Sequence, residues 1–161
     1  MSTEPDLSSG TAVLQVPSDP DTLAIVAQFP HVTPEQLFEY WTKPELMTRW
    51  WPEEAEIDPR EGGTYHFSWP GMEWHLRGEY TTFHPGRMLS FTWHWDHEAS
   101  AEPETVQVLF EAQPDGGTAI ALQHGPYDDS PESQENRNGH LEGWKFFLGR
   151  LQTLLAEEAA Q

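Results

Sequence analysis

Residues 139–156 form the only long apolar run with a helical period in this chain, and they constrain what the rest must build. Leu141, Trp144, Leu148, Leu151 and Leu155 step by three and four, so they share one stripe of a helix. Phe147 and Leu154 widen it, while Glu142, Lys145, Arg150, Gln152 and Glu157 lie off it. A stripe this broad demands a partner surface. Gly139 and Gly143 fall on the side of Phe147, and each costs roughly 1 kcal/mol of helix propensity against alanine. Two readings follow. Either a neighbouring backbone comes close, or the glycines leave a notch beneath the first turns where a ligand sits against a sheet.

Upstream the period is two. Leu23, Ile25, Ala27 and Phe29 alternate with Ala24, Val26 and Gln28. Thr33-Pro34-Glu35-Gln36 reads as a helix start, with Thr33 as N-cap and Gln36 placed for a capping box. That helix runs to Lys43-Pro44, and a second short one spans residues 45–51. Tyr65, Phe67 and Trp69 then alternate with polar residues, as do Trp74, Leu76, Gly78 and Tyr80. Leu89, Phe91, Trp93 and Trp95 follow, then Val106, Val108 and Phe110, then Thr118, Ile120, Leu122 and His124. Pro70-Gly71, residues 84–87 and residues 115–117 supply turns. Successive hairpins predict an antiparallel sheet with one apolar face, hence an α+β domain in which the C-terminal helix covers that face. Residues 96–104 read as an acidic loop, and Ser130-Pro131-Glu132 as the cap that starts the last helix. Residues 1–20 read as a flexible N-terminal leader to which Leu14 and Val16 add a weak edge strand. Residues 21–159 read as a single domain.

Charge excludes some partners. The chain carries 27 acidic residues against 8 Lys plus Arg, a formal charge of −19. Nucleic acid and anionic membranes are disfavoured by such a surface. There is no cysteine, no run of membrane-spanning length and no secretory signal, so a cytoplasmic location is the expectation.

The order of elements and the residues together resemble a known family. The matching stretches are residues 34–38, 43–46, 49–52, 62–65 and 78–80, then 87–93, Gly117-Thr118, His124-Gly125 and Gly143-Trp144 with the leucines behind it. Over residues 21–157 they are similar to the branch of the START-like, birch-pollen-allergen-like superfamily named after the activator of the ninety-kilodalton heat-shock chaperone's ATPase. That resemblance implies a helix-grip fold. In it a curved antiparallel sheet wraps around a long C-terminal helix, two short helices follow the first strand, and a cavity lies between sheet and helix. The superfamily holds small-molecule carriers, receptors, cyclases and chaperone activators, and fold alone does not choose among them.

The inner face supplies the candidate ligand-binding residues: Tyr65, Phe67, Trp74, Tyr80, Phe91, Trp93, Trp95 and His124, joined from the helix by Gly143, Trp144 and Phe147. Aromatic side chains wall apolar pockets, and a few polar groups fix orientation. His124 ends the last strand facing inward, where an imidazole serves as a hydrogen-bond partner, a general base or a structural residue. On the outer face His66, His75 and Asp96 form a second grouping, read as ordinary surface residues rather than a metal site. No catalytic nucleophile or phosphate-binding glycine loop is evident, and neither cofactor nor metal is expected. The first expectation is therefore binding of a small apolar or aromatic molecule. An enzyme of the cyclase, aldolase or dehydratase kind is the alternative, favoured if two or more ionisable side chains converge in the cavity. A chaperone cofactor or protein-interaction module is the third.

Overall fold

The alternating runs form an eight-stranded antiparallel sheet in the computed structural model, which describes residues 13–98 and 102–160. The strands are β1 (Val13–Gln15), β2 (Leu23–Phe29), β3 (Glu54–Ile57), β4 (Thr64–Trp69), β5 (Trp74–His84), β6 (Met88–Trp95), β7 (Glu104–Ala112) and β8 (Thr118–Gly125). Their spatial order is β1-β2-β8-β7-β6-β5-β4-β3. The hairpins lie where the turn residues placed them. β1 pairs with β2, so the expected edge strand forms; residues 1–12 of the leader lie outside the described residues. β3 has no counterpart in the sequence reading. Its four residues include exposed Glu54 and Glu56, and so short an edge strand shows little apolar alternation.

Alternation sorts the side chains onto two faces. Leu23, Ile25, Phe29, Phe67, Leu76, Phe91, Val106, Val108, Ile120 and Leu122 are among those buried on the inner face. The sheet curves. A register shift between Tyr80 and Thr82 marks a bulge on β5, a feature that bends a strand and increases its twist. Next to it Gly78 lies opposite Tyr65, whose ring crosses the glycine so that Oη donates to the Thr92 carbonyl. An added Cβ on Gly78 would stand 2.6 Å from that ring and press on the Thr92 carbonyl.

Helix α1 (Pro34–Thr42) starts with the expected capping box. Gln36 N donates to Thr33 Oγ1 at 3.1 Å, and Thr33 N donates to Gln36 Oε1 at 3.0 Å. Helix α2 (Pro44–Met47) is shorter than the expected 45–51. The chain turns after Met47, and buried Trp50 donates its Nε1–H to the Tyr40 carbonyl at 2.8 Å. That bond folds the segment back on α1.

Helix α3 (Pro131–Ala159) is capped by Ser130, whose Oγ accepts from Ser133 N at 3.1 Å. It buries Trp144, Leu148, Leu151 and Leu155, the stripe read from the sequence. Gln152, read as lying off that stripe, is also buried, and its Nε2 donates to the Gln28 carbonyl of β2 at 2.9 Å. Near its start, Arg137 Nη2 donates to the Thr22 carbonyl at 2.8 Å. Near its end, Glu158 bonds Arg49 at 2.6 Å and accepts from Tyr40 Oη. The ties of Arg137 and Gln152 hold α3 close to β2, and Glu158 holds its end against Tyr40 of α1 and Arg49. Among the described residues no helix is long and apolar enough to cross a membrane.

Candidate functional site

Where α3 faces the far side of the sheet, indole rings fill the space between the layers, and they leave a cleft of about 300 Å³. Its walls are Trp51, Trp69, Trp74, Trp93, Trp95 and Trp144 with Gly139, His140, Gly143 and Phe147. At this corner β4 and β6 end, and β5 begins, in tryptophan. The helix contributes His140 and Trp144, one turn apart on one face. The rings are not a single stack: Trp93 stands at 89° to Trp95, and Trp74 at 67° to Trp95. Steep angles make walls rather than a column. A Cβ added at Gly139 or Gly143 meets nothing within 4 Å. These glycines therefore border open space, and among the described residues no neighbouring backbone comes close to the helix at either of them.

Behind the wall lies a buried polar network. Trp144 Nε1–H donates to His124 Nδ1 at 3.0 Å, and His124 Nε2 lies 2.8 Å from Glu104 Oε1. An indole only donates, so Nδ1 of His124 is an acceptor and its proton is on Nε2, given to the carboxylate. His140 stacks on His124 with ring centroids 4.3 Å apart. Its Nδ1 shares a 2.8 Å hydrogen bond with Tyr127 Oη and lies 3.7 Å from Glu104 Oε1. Burial, which disfavours the charged form, holds both imidazoles down to about 3. Both rings are therefore neutral near pH 7. Burial also raises the Glu104 carboxyl, with His140 opposing the shift, and raises the Tyr127 phenol.

The ligand atoms of Glu104, His124 and His140 lie within 4.8 Å of one another, a grouping able to hold a metal such as zinc. The proton assignment argues against that use. A metal on His124 Nε2 would displace the proton that the Trp144 bond places there, leaving a ring with no proton on either nitrogen. The cluster as built is a closed hydrogen-bond network.

Of the residues singled out from the sequence, Trp74, Trp93, Trp95, Gly143, Trp144 and Phe147 come together around the cleft. Tyr65, Phe67, Tyr80 and Phe91 pack against one another deeper along the inner face, away from it. His124 is fully buried, behind Trp93 and His140. Glu104, His140, Tyr127, Trp51 and Trp69 were not among the expected site residues. Three of them carried a signal. Trp69 shares the alternation of Tyr65 and Phe67. Glu104 precedes Val106 by two and so shares its inward face, and His140 precedes Trp144 by four. On the outer face His66 Nε2 and His75 Nδ1 bond each other at 2.8 Å, while Arg77 Nε holds Asp96 at 2.9 Å. His66 and Arg77 border a wide, charged depression of about 720 Å³ that also includes Glu56, Glu79 and His94.

Comparison with known proteins gives consistent matches. The family profile described as Activator of Hsp90 ATPase homolog 1-like protein matches residues 31–156. No curated protein gives a significant match. Among solved structures, a Mesorhizobium loti protein is similar with a TM-score of 0.74 at 25% identity, over 84% of this chain and 97% of that one. An HSP90 activator from Plasmodium falciparum is similar with a TM-score of 0.67 at 23% identity, over 84% of this chain and 96% of its own. CalU16 from Micromonospora echinospora has a TM-score of 0.68 at 18% identity, over 92% and 87% of the two chains.

Proposed function

From the premise that the chain belongs to the Activator of Hsp90 ATPase homolog 1-like family, we propose that it binds a small apolar or aromatic molecule between sheet and helix. The observation that carries this reading is the cleft of about 300 Å³ walled by six tryptophans and left open by Gly139 and Gly143. Pockets for small ligands are apolar with few polar groups, and among the described residues His140 is the one titratable side chain on this wall. Native mass spectrometry of the purified protein tests it directly, as does a thermal-shift panel of aromatic compounds. A ligand at 100 times its Kd adds about 2.7 kcal/mol of stability. A panel of planar aromatics that neither shifts the melting temperature nor quenches tryptophan fluorescence rejects the reading.

Two observations keep other readings in view. Glu104, His124, His140 and Tyr127 converge, which favours acid–base chemistry. They converge on one another, however, and only His140 also lines the cleft. A reaction would therefore run through His140, and His140→Gln would abolish turnover while leaving ligand affinity nearly intact. The family and the similarity to an HSP90 activator favour a chaperone partner. That contact would use the acidic surface, so pull-down of a bacterial chaperone homologue should weaken as salt rises. Absence of binding at low salt removes this reading.

A further inference from the structure

Resting on the reading that the cleft is a ligand site, we propose that its ligand class is organic cations with an apolar, methylated or aromatic-substituted nitrogen. Six of the chain's eight tryptophans line this one cleft. Aliphatic side chains would suffice to hold a neutral hydrocarbon. Tryptophan differs because its ring face carries negative potential and attracts cations more strongly than the faces of phenylalanine or tyrosine. Rings in a single stack cover one another's faces. Here Trp51 stacks on Trp93 at 21°, but Trp93 and Trp95 stand at 89° and Trp74 and Trp95 at 67°, so the rings do not form one column.

The surroundings agree in sign. Among the described residues no Lys or Arg lines the cleft. His140 on its wall is a neutral ring, and the Glu104 carboxyl lies behind it at 3.7 Å. The protein as a whole carries a formal charge of −19, a field that raises the local concentration of cations. An anionic ligand would meet no positive group in the cleft, and burying an unpaired anion there is costly.

The test uses two probes of nearly one shape: phenyltrimethylammonium and its neutral carbon isostere, tert-butylbenzene. Saturable quenching of tryptophan fluorescence gives both affinities in moderate salt. The cation should bind about tenfold or more tightly than the isostere. Trp74→Leu and Trp95→Leu leave the surface charge unchanged, and either should erase most of that ratio. Trp74 is 44% exposed at the cleft mouth, so its substitution spares the core. Equal or tighter binding of tert-butylbenzene overturns the cation class while leaving the cleft a ligand site. A preference that survives both substitutions assigns it to surface charge and also overturns the proposal. Failure of both probes to bind rejects the cleft reading together with it.

Discussion

Trp144 on α3 donates its indole proton to Nδ1 of His124 at 3.0 Å, a bond between helix and sheet that fixes the imidazole's tautomer. Nitrogen-15 spectra at pH 7 should therefore show His124 neutral with its proton on Nε2. Trp144→Phe keeps an aromatic ring but leaves a buried acceptor unpaired, at about 1–3 kcal/mol beyond the lost contact area. A proton found on Nδ1 of His124 would break the network described above.

Acid should destabilise the fold through the same histidines. In the folded protein burial holds His124 and His140 down to about 3, against about 6.5 in the unfolded chain. Below about pH 6.5 the unfolded state takes up protons that the folded state refuses, so stability falls as pH drops towards 3. Glu104 acts in the opposite sense. Its raised carboxyl contributes stability that is fully present at low pH and is lost as pH rises through its folded value. Urea midpoints measured from pH 7 to pH 4 should decline, and His140→Gln should flatten the slope by about one proton, roughly 1.4 kcal/mol per pH unit. Identical slopes for the two proteins would reject the assignment for His140.

Gly143→Ala should stabilise the free protein by up to about 1 kcal/mol, since helix propensity improves and the new methyl meets nothing within 4 Å. The same methyl narrows the cleft, so ligand affinity should fall. A urea midpoint that rises with an unchanged slope is the expected readout. A clear drop instead would mean that the helix closes on the sheet at this turn.

Gly78→Ala is the opposite case. Its methyl would press into the Tyr65 ring and the Thr92 carbonyl, and that carbonyl already accepts the Tyr65 Oη–H, so neither can yield without the other. A loss of about 3 kcal/mol or more is expected, at the upper end of overpacking costs. Chemical denaturation of the two proteins measures it, and a loss under 1 kcal/mol would show that β5 adjusts freely.

Much of the fold was legible before any coordinates. The Thr33–Gln36 capping box, the Ser130 cap and the stripe of Trp144, Leu148, Leu151 and Leu155 are local patterns, and local patterns are readable from one chain. The inward direction of His124 followed from alternation along β8. Two elements were less visible. β3 is short and acidic, and α2 stops early because Trp50 finds the Tyr40 carbonyl, a contact ten residues back that no period encodes.

The site divides along the same line. Sequence by itself determined which face each side chain takes, because the backbone repeats of 2 and 3.6 residues fix direction. It therefore determined that aromatic rings from β4, β5, β6 and α3 meet on one inner face. It did not determine the distance between the layers. Tyr65, Phe67, Tyr80 and Phe91 were indistinguishable in pattern from Trp93 and Trp95, yet the first four close on one another and the last two wall an opening. Arg137 and Gln152 tie α3 to the β2 side of the sheet, and Glu158 ties its end to Tyr40 and Arg49. Only the tertiary structure decided the height of the helix over the far strands, and with it both the cleft and the meeting of Glu104, His124 and His140. A cleft is the volume that remains between two docked surfaces, and docking depends on contacts between residues far apart in the chain.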